Sequence, residues 1–158
     1  MFKRVLLCYD GSAVGRRALR RGAELAILLR AQVYVLSIIP GGADSTVVSG
    51  AAIASGVAGA ACLVDEAGGY RKLLDESIEW LKARGVAAEG YLTSGNTIDQ
   101  IITFSRRLAI DLIVLGHYPQ PKGGFWWSTP QRGSLAERAN CCVFVAVDTA
   151  DPAPPAGE

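Results

Sequence analysis

A single histidine and the absence of any Cys-x-x-Cys spacing set the first limits on this 158-residue chain. Structural zinc sites draw on clustered cysteine and histidine, and nothing of that kind is present. The four cysteines are Cys8, Cys62, Cys141 and Cys142, of which the adjacent last two would point to opposite faces of a strand. They are expected to be buried free thiols in a reducing cytoplasm. Neither sign of charge is in excess: 16 Lys and Arg stand against 15 Asp and Glu, a formal net charge of +1, so no nucleic-acid surface is expected. The apolar run at the start is too short for a secretory signal and meets Asp10 at once.

Charge is also missing from Ser45 to Val64, a stretch long enough to span a membrane. Its glycines and serines make it a poor hydrocarbon solute, and no lysine or arginine anchors its flanks, so a span is not expected. Residues 41–61 read as a flexible small-residue insertion or as an apolar loop that packs on a partner subunit; composition leaves both open. What remains, with 50% hydrophobic and 20% charged residues, fits one α/β domain over 1–148. A Pro- and Ala-rich tail, 149–158, is expected to be disordered.

Taken in order, Arg4 to Tyr9 is a continuous apolar run that reads as a buried strand, with Asp10-Gly11-Ser12 as a turn and a capping serine. The helix after it places Ala18, Gly22, Ala23, Ala26 and Leu29 on one face. Arg16, Arg17, Arg20 and Arg21 interleave as a solvated face or a basic patch. Val33 to Ile39 is a second buried strand, parallel to the first through a right-handed crossover. A second helix is expected over about 65–84, with Tyr70, Leu73, Leu74, Ile78 and Leu81 as its stripe and Trp80 at the edge. Val86 to Leu92 reads as an edge strand, and Asn96 or Thr97 as the cap of a third helix facing inward through Ile98, Ile101, Ile102, Phe104 and Leu108. Leu112 to Leu115 is a strand buried on both faces, Ser134 to Asn140 a short helix, and Cys142 to Val147 a last strand. Strands alternating with helices in this way make an open, doubly wound parallel α/β sheet.

In such sheets a ligand lies beyond the carboxyl ends of the strands, where their order reverses. Polar residues and glycines gather at two such ends, Asp10 and Gly116. From Gly116 a loop runs to Gly133-Ser134, read as the opening of a helix. There unpaired N–H groups and the helix dipole favour an anion, so the loop is a candidate phosphate cradle. Lys122 and Arg132 are candidate neutralisers of phosphate charge, and His117 is a polar neighbour or a plain loop histidine. Phe125, Trp126 and Trp127 form a lid over a ligand base, an anchor on a partner, or a fold-back onto the core.

The sequence resembles the universal stress protein family over Phe2 to Val147. The likeness rests on Val5-Leu6-Leu7-Cys8-Tyr9-Asp10-Gly11-Ser12, Gly95-Asn96-Thr97-Ile98-Asp99-Gln100-Ile101, Asp111-Leu112-Ile113-Val114-Leu115-Gly116, Gly133-Ser134-Leu135-Ala136-Glu137 and Val143-Phe144-Val145-Ala146-Val147. The resemblance implies five parallel strands in the order 3-2-1-4-5 with helices on both faces, and a homodimer through the last strand, 142–147. It also implies ATP binding by a pattern of Gly, two residues, Gly, nine residues, then Gly-Ser or Gly-Thr. Gly116 and Gly133-Ser134 match its ends, and nine residues separate Gly123 from Gly133, but Pro119 stands three places after Gly116. A four-residue insertion between the first glycine and Gly123 reconciles the two. By the same resemblance Asp10 meets the adenine or ribose edge and Ile38 gives backbone contacts to the base. Leu115 and Gly116 line the ribose side, and Gly133, Ser134 and Leu135 hold phosphates.

The leading expectation is a cytoplasmic stress-response regulator that binds ATP, with or without Mg²⁺, or AMP or a cyclic nucleotide, at 116–134 without efficient turnover. Its occupancy would bias a regulatory protein partner. A nucleotide-free dimeric interaction module using Trp126-Trp127 and 41–61 is the second reading. A slow ATPase is the third, and no paired carboxylates, activated nucleophile or metal-ligand cluster near the loop supports it.

Overall fold

The computed structural model describes residues 1–39, 60–117 and 129–147, with the side chains of 60–66, 117 and 129–133 left out of the description. Most of the 41–61 segment, Pro119, Lys122, Gly123, Phe125 to Trp127 and the 149–158 tail therefore lie outside the described residues.

Five parallel strands run in the order β3-β2-β1-β4-β5: β1 is Arg4–Cys8, β2 Gln32–Ile39, β3 Ala88–Ser94, β4 Leu112–His117 and β5 Cys142–Val147. The helices are α1 Ala13–Leu29, α2 Ala60–Lys82, α3 Thr97–Arg107 and α4 Thr129–Arg138. The doubly wound sheet is the one the alternation of elements predicts, its strand order is the one the resemblance implies, and β3 stands at an edge. Alternation along the strands divides the core. Val5, Leu7, Val33, Val35 and Val114 meet Leu19, Ala23, Ala26, Leu74 and Leu81 of α1 and α2 on one face. Leu6, Leu36, Ile38, Ile113 and Leu115 meet Ile98, Ile101, Phe104 and Leu135 of α3 and α4 on the other. Two helices on each face thus leave β1 and β4, the neighbours from which the chain departs in opposite directions, at the point of reversal.

Local chemistry fixes the elements. Ser12 caps α1 by accepting from Gly15 N, and Arg30 closes the helix in the left-handed region. Asn96, rather than Thr97, caps α3 by accepting from Asp99 N at 3.2 Å. Gly22 lies against Leu7, where a Cβ would overlap the leucine, so α1 sits close to the sheet. Trp80 packs half-buried at the edge of α2 beneath Arg84, whose guanidinium lies 3.7 Å from the ring centroid. Asp111 receives Lys3 N at 2.7 Å and Arg4 N at 3.1 Å, tying the entry of β1 to that of β4. Asp111→Ala frees both donors and is expected to lower unfolding free energy by about 2 kcal/mol, read by urea denaturation.

Four expectations need correction. The second helix begins at Ala60, not near residue 65, so Ala60 and Ala61 belong to it rather than to the insertion. The third strand starts two residues later than its apolar onset, because Val86 serves as a buried plug after the Gly85 turn. The fourth helix begins at Thr129, five residues before Ser134, so Ser134 is not its cap. Pro130 in its first turn marks the true start, since proline suits a position whose N–H has no helical partner. Finally, the cysteines are not uniformly buried: Cys8 is, Cys141 is half-buried and Cys142 is exposed, all three free.

Candidate functional site

The sheet opens where β1 and β4 part. Their pairing ends at Leu7 and Val114, whereas β4 stays with β5 as far as His117 and Val147. Tyr9 N still reaches Leu36 O at 3.0 Å, and the chain then turns out of the sheet at Asp10. One oxygen of Asp10, Oδ1, accepts from Ser12 N at 2.9 Å and from Ser12 Oγ at 2.6 Å. Ser12 Oγ in turn accepts from Gly15 N at 2.9 Å. This local network requires Gly11 at φ 79° and the bare Cα of Gly15, where a Cβ would overlap Asp10 Oδ1. Among the described residues Oδ2 has no hydrogen-bond partner, so the turn engages one carboxylate oxygen and not the other.

Across the opening, Gly116 lies against the first turn of α1. A Cβ there would stand 2.8 Å from Val14 Cγ1 and 2.9 Å from Val14 O. Gly116 is therefore required by packing as well as being placed beside the crevice. Leu115 faces the other way into the core, so only its backbone borders the opening.

Ile38 is fully buried, its side chain in the core under α3 and α4. Its backbone is another matter. In a parallel ladder the N–H and C=O of one residue point to the same neighbour, and successive residues alternate. Gln32 N bonds Lys3 O and Leu36 O accepts from Tyr9 N, so even-numbered residues of β2 face β1; Val33 N bonds Ala87 O and Ile39 O accepts from Gly95 N, so odd-numbered ones face β3. Ile38 thus directs its N–H and C=O to the side that β1 has already left. The carbonyl of Tyr9, which would have met Ile38 N, is taken by the buried Ser37 hydroxyl at 2.8 Å. Among the described residues no hydrogen bond reaches the Ile38 peptide groups. A donor and an acceptor side by side suit the edge of a nucleobase.

The third wall is α4. Leu135 is fully buried against α3, and Arg138 bonds Asp99 at 2.7 Å, which fixes the helix over the α3 face. Since the helix starts at Thr129, its unpaired backbone N–H groups lie at its first turn rather than at Gly133-Ser134. Gly133 and Ser134 stand one turn further in, aligned with Thr129 and Pro130 by the four-residue step. Asp10, Ile38, Leu115 and Gly116 are thus brought to one crevice, with Gly133, Ser134 and Leu135 on the helix that follows it. His117 and Arg132 are placed by their backbones alone, at the end of β4 and inside α4, and Lys122 and Gly123 lie outside the described residues. The Ile38 peptide was reachable from sequence only through resemblance, because an apolar side chain gives no sign of what its backbone does.

Burial, with a smaller contribution from the Asp10 charge, pushes the Cys8 thiol far up. Tyr9 is raised as well, by desolvation first and by Asp10 and Glu76 after it, while Arg16 opposes. Cys8 is therefore an inert thiol beneath the site. In a Cys62→Ser protein at pH 8, an aromatic disulfide reagent is expected to label Cys142 rapidly and Cys8 only after denaturation. A raised folded-state value also means that Cys8 stabilises the fold below the ordinary thiol range and loses that contribution as pH climbs above it. Among the described residues no three metal-ligating side chains gather, and no helix is long and apolar enough to cross a membrane.

These features define an α/β domain whose sheet opens at its switch point, between β1 and β4. The model of the universal stress protein family matches residues 1–146, and the chain belongs to that family. Solved structures share its fold. One is a universal stress protein family member from Burkholderia pseudomallei, at 18% identity, TM-score 0.68, and coverage of 92% of this chain and 96% of that one. A second is a universal stress protein in complex with cAMP, at 21% identity, TM-score 0.63 and coverage of 92% and 97%. A third is a family member from Arabidopsis thaliana with AMP bound, at 15% identity, TM-score 0.59 and coverage of 98% and 97%. No curated protein is a significant match to the chain.

Proposed function

We propose that this protein is a nucleotide-dependent regulator that binds an adenine nucleotide between β1 and β4 without efficient turnover. The observation that carries the reading is the pair of Ile38 peptide groups, aimed at a place from which β1 has withdrawn. They would bond the base edge, Asp10 Oδ2 the ribose, and the backbones of Leu115 and Gly116 would lie along the sugar. Phosphates would extend toward the first turn of α4, with Ser134 Oγ as a further donor, Gly133 leaving room beside it and Arg132 offsetting charge. Mg²⁺, when ATP is the ligand, would supply charge neutralisation at the phosphates. Two proteins of this fold carry cAMP and AMP in their structures, which supports an adenine ligand.

Turnover is not part of the proposal: the Ser12 hydroxyl donates to Asp10 Oδ1 and caps α1 by accepting from Gly15 N, a structural use of the only hydroxyl–carboxylate pair described at the crevice. The free cysteines suit a reducing cytoplasm. Titration with a fluorescent ATP analogue, competed by ATP, AMP and cAMP, is expected to give saturable binding. No saturation up to about 1 mM would overturn the reading.

We propose further that β5 forms a homodimer. It is a sheet edge, and Phe144 and Val147 are 40% and 55% exposed on it. An open edge with apolar side chains invites pairing. Light scattering is expected to give a dimer for the native chain and a folded monomer for Phe144→Arg; a monomeric native chain would end this proposal.

A further inference from the structure

The four arginines of α1 are not spread at random over its outer face. Arg16, Arg20 and Ile27 are separated by four and then seven residues, and so are Arg17, Arg21 and Leu28. Steps of four and eleven residues return to one side of a helix, so these are two parallel rows, each two arginines followed by an aliphatic residue. All six side chains are exposed, Leu28 at 81% and Ile27 at 50%. The rows run roughly 16 Å along the helix.

Apart from one Arg21–Glu24 pair, this arrangement works against the helix that carries it. Like charges four residues apart repel, and cations near a helix N-terminus oppose its dipole. The first turn of α1 has no acidic residue, Glu24 bridges Arg21 at 3.0 Å, and Arg17 has a contact of its own. Nor does the crevice account for the two rows: Arg16 acts on Tyr9 through its charge, and no described hydrogen bond or ion pair joins Arg16, Arg20 or Arg21 to Asp10, Ile38 or Gly116.

We propose that the outer face of α1 is a docking surface for a protein partner that presents an acidic, amphipathic helix. Carboxylates of the partner meet the two arginine rows, and its apolar residues cover Ile27 and Leu28. Charge complementarity commits the surface to an acidic occupant. Two aliphatic side chains at one end offer too little apolar area to hold the helix in a bilayer, which favours a protein over a membrane. The near-neutral net charge of the chain leaves this face as a local cationic patch rather than part of a general one.

The test uses a labelled synthetic peptide of about five helical turns, with glutamates on one face and leucines on the other, against the full chain. Saturable binding that weakens as salt is raised is expected. Arg16→Glu with Arg20→Glu places like charges across the contact and is expected to weaken binding about tenfold. This variant also relieves the repulsion and suits the dipole, so it is expected to fold. Leu28→Ser is expected to weaken binding about threefold without changing the salt response. Reversing the exposed pair Arg106 and Arg107 on α3 should change it by less than about twofold. Equal losses for the two arginine pairs, or equal binding of a peptide with serines for leucines, would overturn the proposal. Binding to vesicles with about one-third phosphatidylserine, but not to the peptide, would assign the face to a membrane instead.

Discussion

Gly116→Val is expected to remove nucleotide binding and to cost about 3 kcal/mol of stability. The first atom of any side chain at this position would stand 2.9 Å from the carbonyl oxygen of Val14, which is backbone in a capped helix and cannot swing aside. Either β4 or the first turn of α1 must shift. That turn is joined to the residues before it: Gly15 N donates to Ser12 Oγ, and Ser12 donates in turn to Asp10 Oδ1. Displacement at Gly116 therefore reaches the carboxylate, and crevice and packing fail together. Gly116→Ala adds the same first atom with less bulk, and should keep more stability than it keeps affinity. Urea denaturation and nucleotide titration on both variants would check this. A valine protein of native stability and native affinity would show that the wall can move, contrary to the packing seen.

Leu135→Ala is expected to cost a further large amount, about 3 kcal/mol, through a different part of the molecule. Leu135 is fully buried in the cluster that includes Ile98, Ile101 and Ile102 of α3. The Arg138–Asp99 pair also ties α4 to α3, but it is half exposed on both sides and thus worth about 1 kcal/mol or less. Removing the leucine loosens the helix proposed to face the phosphates while leaving the base-edge groups of β2 in place. ATP affinity should fall about tenfold, and that for adenosine by less than about twofold. Parallel losses for the two ligands would mean that α4 does not contact phosphate.

The strands of this domain were legible because burial on both faces produces uninterrupted apolar runs, as at Leu112 to Leu115, and parallel sheets produce little else. Ser12 was legible because capping is a matter of one side chain and its neighbours. The start of α4 was not, because Gly133-Ser134 carries the glycine and hydroxyl of a helix opening although the helix begins at Thr129-Pro130. A proline in a first turn is the better physical signal. The crevice was half legible. Asp10 and Gly116 announce themselves as polar or small residues ending apolar strands. Ile38 does not, since its contribution is two backbone groups whose direction depends on a register fixed by Gln32 and Leu36. The arginines of α1 were visible from the start, yet their coincidence with Ile27 and Leu28 mattered only once exposure of the aliphatic pair was known.

The central claim is that an adenine nucleotide occupies the gap between β1 and β4, held by the backbone of β2. Following amide resonances during titration of the ¹⁵N-labelled protein with AMP tests it most directly. The expected result is saturable movement of the Ile38, Gly11, Ser12 and Gly116 amides, with the Ile38 amide shifting downfield as its N–H gains an acceptor. Saturable binding that leaves the Ile38 amide where it was, with shifts confined to another face, would contradict the claim.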